Sequence, residues 1–164
     1  MNKYLFMLIS IFICTLLVAI GCSCHETVAE TEKSGKMIIN GVKTTSDYIM
    51  LYKTENHEVA HIPLTKVFFG LGINFSFIGD DCVDFLYNNK RYVIDLIAKT
   101  FGEENVFSVP LLAPGEQAFH YEVKDEEVIL NDGTILLILA EIGKKVDLTI
   151  DFDNAVVYIT DRTD

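Results

Sequence analysis

Gly72 and Gly143 each close an apolar stretch of helical spacing and open a strand of alternating polarity. Before Gly72, Leu64, Val67, Phe68 and Leu71 fall at i, i+3, i+4 and i+7, one face of a helix. After it, Ile73, Phe75 and Phe77 alternate with Asn74 and Ser76, the period-two pattern of a half-buried strand. Gly79-Asp80-Asp81 turns the chain, and residues 82–87 return as a second strand. Superposing Gly143 on Gly72, an offset of 71 residues, lays Ile135, Ile138, Leu139, Ile142, Val146 and Leu148 on Leu64, Val67, Phe68, Leu71, Phe75 and Phe77. The pattern predicts an α+β fold in which an antiparallel sheet wraps against helices, built from two helix-Gly-β-hairpin repeats.

Other elements follow from local chemistry. Asn40-Gly41 between residues 37–39 and 42–44 suits a type I′ turn and predicts a hairpin. Residues 48–52 and 59–62 are apolar runs around a polar turn at 53–57, hence two more strands. Pro63 fits a helix start, where its missing N–H costs nothing. Asn88-Asn89-Lys90 turns into a strand over residues 91–97, and residues 103–117 read as loop.

Half of the 164 residues are hydrophobic, enough for one core and one folded domain. Acidic residues outnumber basic ones 24 to 13, for a net charge of −11. A chain so acidic does not present the basic surface that neutralises nucleic-acid phosphates, so DNA and RNA partners are excluded.

Residues 1–21 carry Lys3 and then an apolar run ending at Ala19-Ile20-Gly21-Cys22. This is the pattern of a secretory signal peptide, and its end resembles the lipobox of bacterial lipoproteins. That resemblance implies removal of residues 1–21, lipidation of Cys22 and display on the outer face of the cell membrane, with plain secretion as the alternative. An acidic chain is not held to anionic headgroups by charge, so the lipid would supply the anchor. Residues 22–36 lack apolar periodicity and are rich in Glu, Thr and Ser, the composition of a flexible tether. The folded body is expected at residues 37–164. Cys14 lies in the signal and Cys24 in the tether, so no disulfide framework is expected, and Cys82 reads as a small buried hydrophobe.

Ile39-Asn40-Gly41-Val42-Lys43, Ile62-Pro63-Leu64, Leu71-Gly72 with its hairpin, and Ile142-Gly143-Lys144-Lys145-Val146-Asp147 with its own hairpin together resemble the copper amine oxidase N-terminal domain, also called the stalk domain. The family usually has Val-Pro-Leu-Arg where this chain has Ile62-Pro63-Leu64-Thr65, and a Trp where it has Phe77 or Leu148. The resemblance implies a non-catalytic module without the oxidase's copper or quinone, meeting a protein or cell-wall partner in the envelope.

One motif points to chemistry instead. His57-Glu58-Val59-Ala60-His61 spells H-E-x-x-H, in which a helix sets two His one turn apart on zinc and the Glu acts as general base. The alternative reading is therefore a small zinc hydrolase with His57 and His61 as metal ligands and Glu58 as the catalytic base. Pro63 opposes it, because it disfavours helical geometry at Ile62. On a strand, four residues would part the two His Cα atoms by about 13 Å. The third His of the longer metzincin pattern is missing, since positions 64 and 67 are Leu64 and Val67, and nothing around His120, Glu103 or Glu104 marks a ligand helix. The expectation is a coincidental match with no metal or other cofactor.

A further alternative is a small-ligand-binding lipoprotein in which residues 103–117 gate a pocket. Asp151-Phe152-Asp153-Asn154 opens like a calcium loop but has Val156 and Arg162 where Gly and Glu are required, so it reads as a hairpin turn. Gly70-Leu71-Gly72 ends a helix, where a dinucleotide fingerprint opens one. Asn74-Phe75-Ser76 is a chance sequon, and Arg91, Asp84 and Asp95 read as a solvated sheet face.

Overall fold

The structure, a computed structural model, describes residues 31–55, 57–79, 81–111 and 121–162. Residues 1–21, expected as a signal peptide and containing Cys14, and residues 22–30 of the expected tether, with Cys22 and Cys24, lie outside the described residues, as does His120.

Fourteen strands and two helices are described. In chain order they are β1 (Thr31–Ser34), β2 (Lys36–Ile39), β3 (Val42–Thr44), β4 (Met50–Lys53), β5 (Glu58–Pro63), α1 (Leu64–Gly70), β6 (Phe75–Ile78), β7 (Cys82–Tyr87), β8 (Lys90–Asp95), β9 (Thr100–Glu103), β10 (Val109–Pro110), β11 (Tyr121–Lys124), β12 (Glu127–Asn131), α2 (Asp132–Glu141), β13 (Val146–Asp151) and β14 (Val156–Asp161). They form three sheets in the orders β1-β4-β5-β12-β11, β10-β9-β8-β7-β6 and β13-β14-β2-β3. Every pairing is antiparallel except β14 with β2, where Val157 lies beside Met37 and Ile159 beside Ile39.

This corrects the expected fold in two respects. Strand dominates, because the helices have only seven and ten residues, and three sheets stand where one sheet wrapped on helices was expected. The chain crosses between sheets at Gly35, whose N–H bonds Ile49 O at 2.8 Å while Lys36 N–H bonds Ala155 O at 3.0 Å. Regular structure also begins within residues 22–36, where the composition predicts a tether. Thr31–Ser34 pairs residue for residue with β4, Thr31 opposite Lys53 and Ser34 opposite Met50. Polar letters conceal that strand because its residues are mostly exposed at the margin of a sheet. Likewise Val109–Pro110, inside the expected loop, pairs with β9.

The turns follow the expected chemistry. Asn40 and Gly41 take φ of 50° and 80°, joining Ile39 to Val42, and Asn88 and Asn89 take 51° and 62°. Two-residue hairpin turns of this hand need positive φ at both positions, which Asn and Gly tolerate best.

Both helices end alike. Leu71 N–H bonds Val67 O, Gly72 N–H bonds Phe69 O, and Ile73 N–H bonds Phe68 O. At α2, Ile142 N–H bonds Ile138 O, Gly143 N–H bonds Ala140 O, and Lys144 N–H bonds Leu139 O. Gly72 and Gly143 sit at φ of 71° and 76°, the left-handed region that closes a helix with least strain in glycine. Their starts differ. Asn131 Oδ1 caps α2 by accepting from Thr134 N–H at 2.8 Å, whereas Pro63 precedes α1 with no side-chain cap.

Phe68 is fully buried from α1, with its ring 4.7 Å from that of Phe85 and 6.1 Å from that of Phe75. Phe85, Tyr92 and Phe101 stack beyond it across β7, β8 and β9. Among the described residues no helix is long and apolar enough to cross a membrane.

Candidate functional site

The H-E-x-x-H letters fall on a strand. Glu58–Pro63 is β5, paired with β4 on one side and β12 on the other, and His57 immediately precedes it. Alternation buries Ala60 and Ile62 in the core and turns Val59 and His61 the other way. Glu58 is bound to Lys53 Nζ at 2.5 Å, and the His61 ring lies 4.8 Å from the Tyr52 ring. At about 3.3 Å per residue, a fully extended backbone from His57 to His61 would part their Cα atoms by about 13 Å. The helical geometry that would place the imidazoles of His57 and His61 on one zinc, with Glu58 as base, is therefore not formed.

The segment has a different neighbour instead. Asp132, the first residue of α2, accepts Ala60 N–H on Oδ1 at 3.0 Å, tying the helix start to the middle of β5. Burial pushes the Asp132 carboxyl above its ordinary value, a rise opposed by hydrogen bonds from the Ala60 and Asp132 backbone N–H groups and by nearby His57 and His61. A raised carboxyl means that the folded chain holds this proton more tightly than the unfolded one. The associated stabilisation is complete below the ordinary value of 3.8 and is lost as pH rises through the folded-state value. Asp132→Asn keeps an oxygen for Ala60 N–H but removes the titration. Thermal unfolding midpoints measured from pH 3.8 towards neutrality should thus show the variant gaining on the wild type as pH rises. Parallel curves would show that Asp132 does not titrate differently on folding.

Arg91 and Asp84 do come together. Across the β7–β8 pair, Arg91 Nε and Nη2 each donate to Asp84 at 2.8 Å, and Arg91 also meets Glu104 at 3.3 Å. Asn74, Phe75 and Leu86 border this pair in a shallow depression. Asp95 stands apart, accepting Ala98 N–H at 2.7 Å in a turn. Glu103 is engaged by Lys90 at 2.7 Å. Lys90 and Arg91 are exposed, so their ion pairs with the half-buried Glu103 and Asp84 contribute little to stability.

Asp151 and Asn154 form a closed turn. Asp151 accepts Asn154 N–H at 3.0 Å and Asn154 Nδ2 at 2.8 Å, and these bonds hold its carboxyl below the ordinary value. Phe152 is buried beneath Lys33 and Lys53, whose amines lie 4.5 and 5.3 Å from its ring centre. Cys82 is a free thiol, half-buried, and burial raises its pKa.

Sequence reasoning missed two surface features. Phe69, beside the fully buried Phe68, is 82% exposed. Residues 121–124 form an outermost strand, β11, whose four side chains are all exposed. Helical spacing does signal the first, since position 69 lies outside the i, i+3, i+4 stripe of α1.

Comparison of the chain with protein-family models, curated proteins and solved structures gives no match.

Proposed function

We propose that this chain is a non-catalytic, lipid-anchored module of the bacterial cell envelope that contacts a protein or cell-wall partner through its sheets. The observation that carries the reading is the apolar run ending in Ala19-Ile20-Gly21-Cys22. A lipid at Cys22 would hold an acidic domain at a surface that its charge of −11 disfavours. Two helix-Gly-β-hairpin repeats, similar to the stalk domain, are the proposed architecture. The three backbone bonds recurring at each helix end, 71 residues apart, support it.

The reading is tested by feeding a labelled fatty acid to cells expressing the full chain or its Cys22→Ala variant, then separating membrane from medium and weighing both products. Wild type should carry label, lack residues 1–21 and remain with the membrane, while Cys22→Ala should lose the label entirely. An unlabelled wild type, or label retained in Cys22→Ala, would overturn lipid anchoring at this position.

A further inference from the structure

β11 ends its five-stranded sheet, with β12 on one side and no described strand on the other. Its hairpin partner fixes which backbone groups face outward. Asp125 and Glu126, at φ of 47° and 62°, form a two-residue turn between Lys124 and Glu127. In such a hairpin the residues flanking the turn exchange both backbone hydrogen bonds, and the pattern then alternates. Lys124 and Glu122 therefore direct their N–H and C=O groups to β12, and Val123, opposite Val128, directs its own to the outer edge.

An edge of this kind pairs with a copy of itself only in restricted registers. Hydrogen-bonded and non-hydrogen-bonded pairs alternate along an antiparallel ladder, so a twofold axis must pass through a residue facing its own counterpart. Centring the axis on Val123 makes Val123 face Val123 as a hydrogen-bonded pair. Glu122 then faces Lys124 of the second chain, and Lys124 faces Glu122. Those are non-hydrogen-bonded positions, where opposed Cα atoms approach to about 4.5 Å and ion pairs act most strongly. Within one chain Glu122 and Lys124 already share a face, bridged at 2.6 Å, and both side chains are about half exposed. Val123 is 40% exposed, an apolar centre between two ion pairs.

By contrast, a ladder centred on Lys43 at the outer margin of β3 would oppose two lysines. Each chain carries −11, so two copies repel at long range and the local pattern must select the register.

We propose that β11 is a self-association edge, joining two copies of this chain through an antiparallel β11–β11 ladder centred on Val123. The inference goes beyond anchoring and stands whether or not Cys22 carries lipid.

The test is sedimentation velocity of the full chain in mild detergent, under reducing conditions, over a concentration series. Wild type should be a reversible dimer. Glu122→Lys and Lys124→Glu each place like charges across the axis and should weaken dimerisation about tenfold or more. An equimolar mixture of the two variants sets lysine against glutamate at every contact and should recover wild-type association. Val123→Pro removes an outward N–H without touching the β12 ladder, so it should give a monomer that unfolds near the wild-type temperature. A wild type that stays monomeric at every soluble concentration overturns the proposal. So does a dimer indifferent to the three substitutions, or a mixture that fails to recover.

Discussion

Phe68→Ala should lower the stability of this domain by about 3 to 5 kcal/mol, while Phe69→Ala next to it should change stability by about 0.5 kcal/mol or less. Phe68 has no exposed surface, and its ring joins α1 to the aromatic layer of the second sheet through Phe75 and Phe85. Truncation there removes the transfer energy of a benzyl group and leaves a cavity. Its walls are the side chains of two packed layers, which cannot collapse without moving backbone. Phe69 keeps most of its surface in water in the folded chain, so its loss forfeits little. A loss of about 4 kcal/mol would move the unfolding midpoint down by about 10 to 20 °C and consume much of the 5 to 15 kcal/mol typical of a domain. Urea unfolding followed by circular dichroism on both variants checks this. Equal losses at the two positions would mean that α1 does not present Phe68 to the core.

The contrast between these neighbours shows what the sequence made legible. Leu64, Val67, Phe68 and Leu71 encode one face of α1 by spacing, and the same arithmetic turns position 69 out, a consequence missed in reading Phe69 as core with its aromatic neighbours. Asn40-Gly41 and Asn88-Asn89 announce their hairpins because the backbone sign they need is chemically restricted. Asp125-Glu126 adopts the same turn with residues that give no such notice, so the β11–β12 hairpin was not readable. Its turn is fixed from outside instead, by Tyr48 O–H donating to Asp125 and by Lys66 and Ser46 reaching Glu127 at 2.9 and 3.0 Å. The division into three sheets was hidden for a related reason. Pairing β14 with β2 brings together residues more than a hundred positions apart, Val157 with Met37, and no local period records such a choice.

The candidate site divides along the same line. Pro63 made the extended segment Glu58–Pro63 legible, since its ring restricts the preceding residue whatever the surroundings. The approach of Asp132 to Ala60 is tertiary, joining the start of α2 to a strand 72 residues away. A carboxylate at a helix start is ordinarily read as a capping or dipole effect, and only the packing of α2 onto β5 makes it a half-buried group whose carboxyl is pushed above its ordinary value.

Gly102→Ala should be among the most damaging single-methyl additions in the molecule, with a loss of about 3 kcal/mol or more. The ordinary expectation runs the other way. Replacing glycine by alanine in compatible backbone stabilises a protein by about 0.4 to 1 kcal/mol, because the unfolded chain loses freedom. At Gly102 the added carbon would stand 1.8 Å from Phe107 O, 2.7 Å from Phe107 C and 2.8 Å from Ser108 Cα. All three are backbone atoms of the segment that leads from β9 to β10, so no side-chain rotation relieves the collision. That segment is itself held by Val106 N–H and Phe107 N–H on Glu103 O at 3.0 and 3.3 Å. Moving it away would break the pairing of Val109 with Phe101 and disturb the Phe101 ring stacked on Phe85 and Tyr92. Gly35 supplies the comparison, because a carbon there meets the Leu51 Cδ1 methyl at 2.5 Å, the end of a side chain that can turn. Gly35→Ala should therefore cost less than Gly102→Ala. The measurement is urea unfolding of both variants, with near-ultraviolet dichroism reporting the aromatic layer. A Gly102→Ala protein as stable as wild type, with its aromatic signal intact, would show that the β9–β10 connection does not cross Gly102 as closely as described.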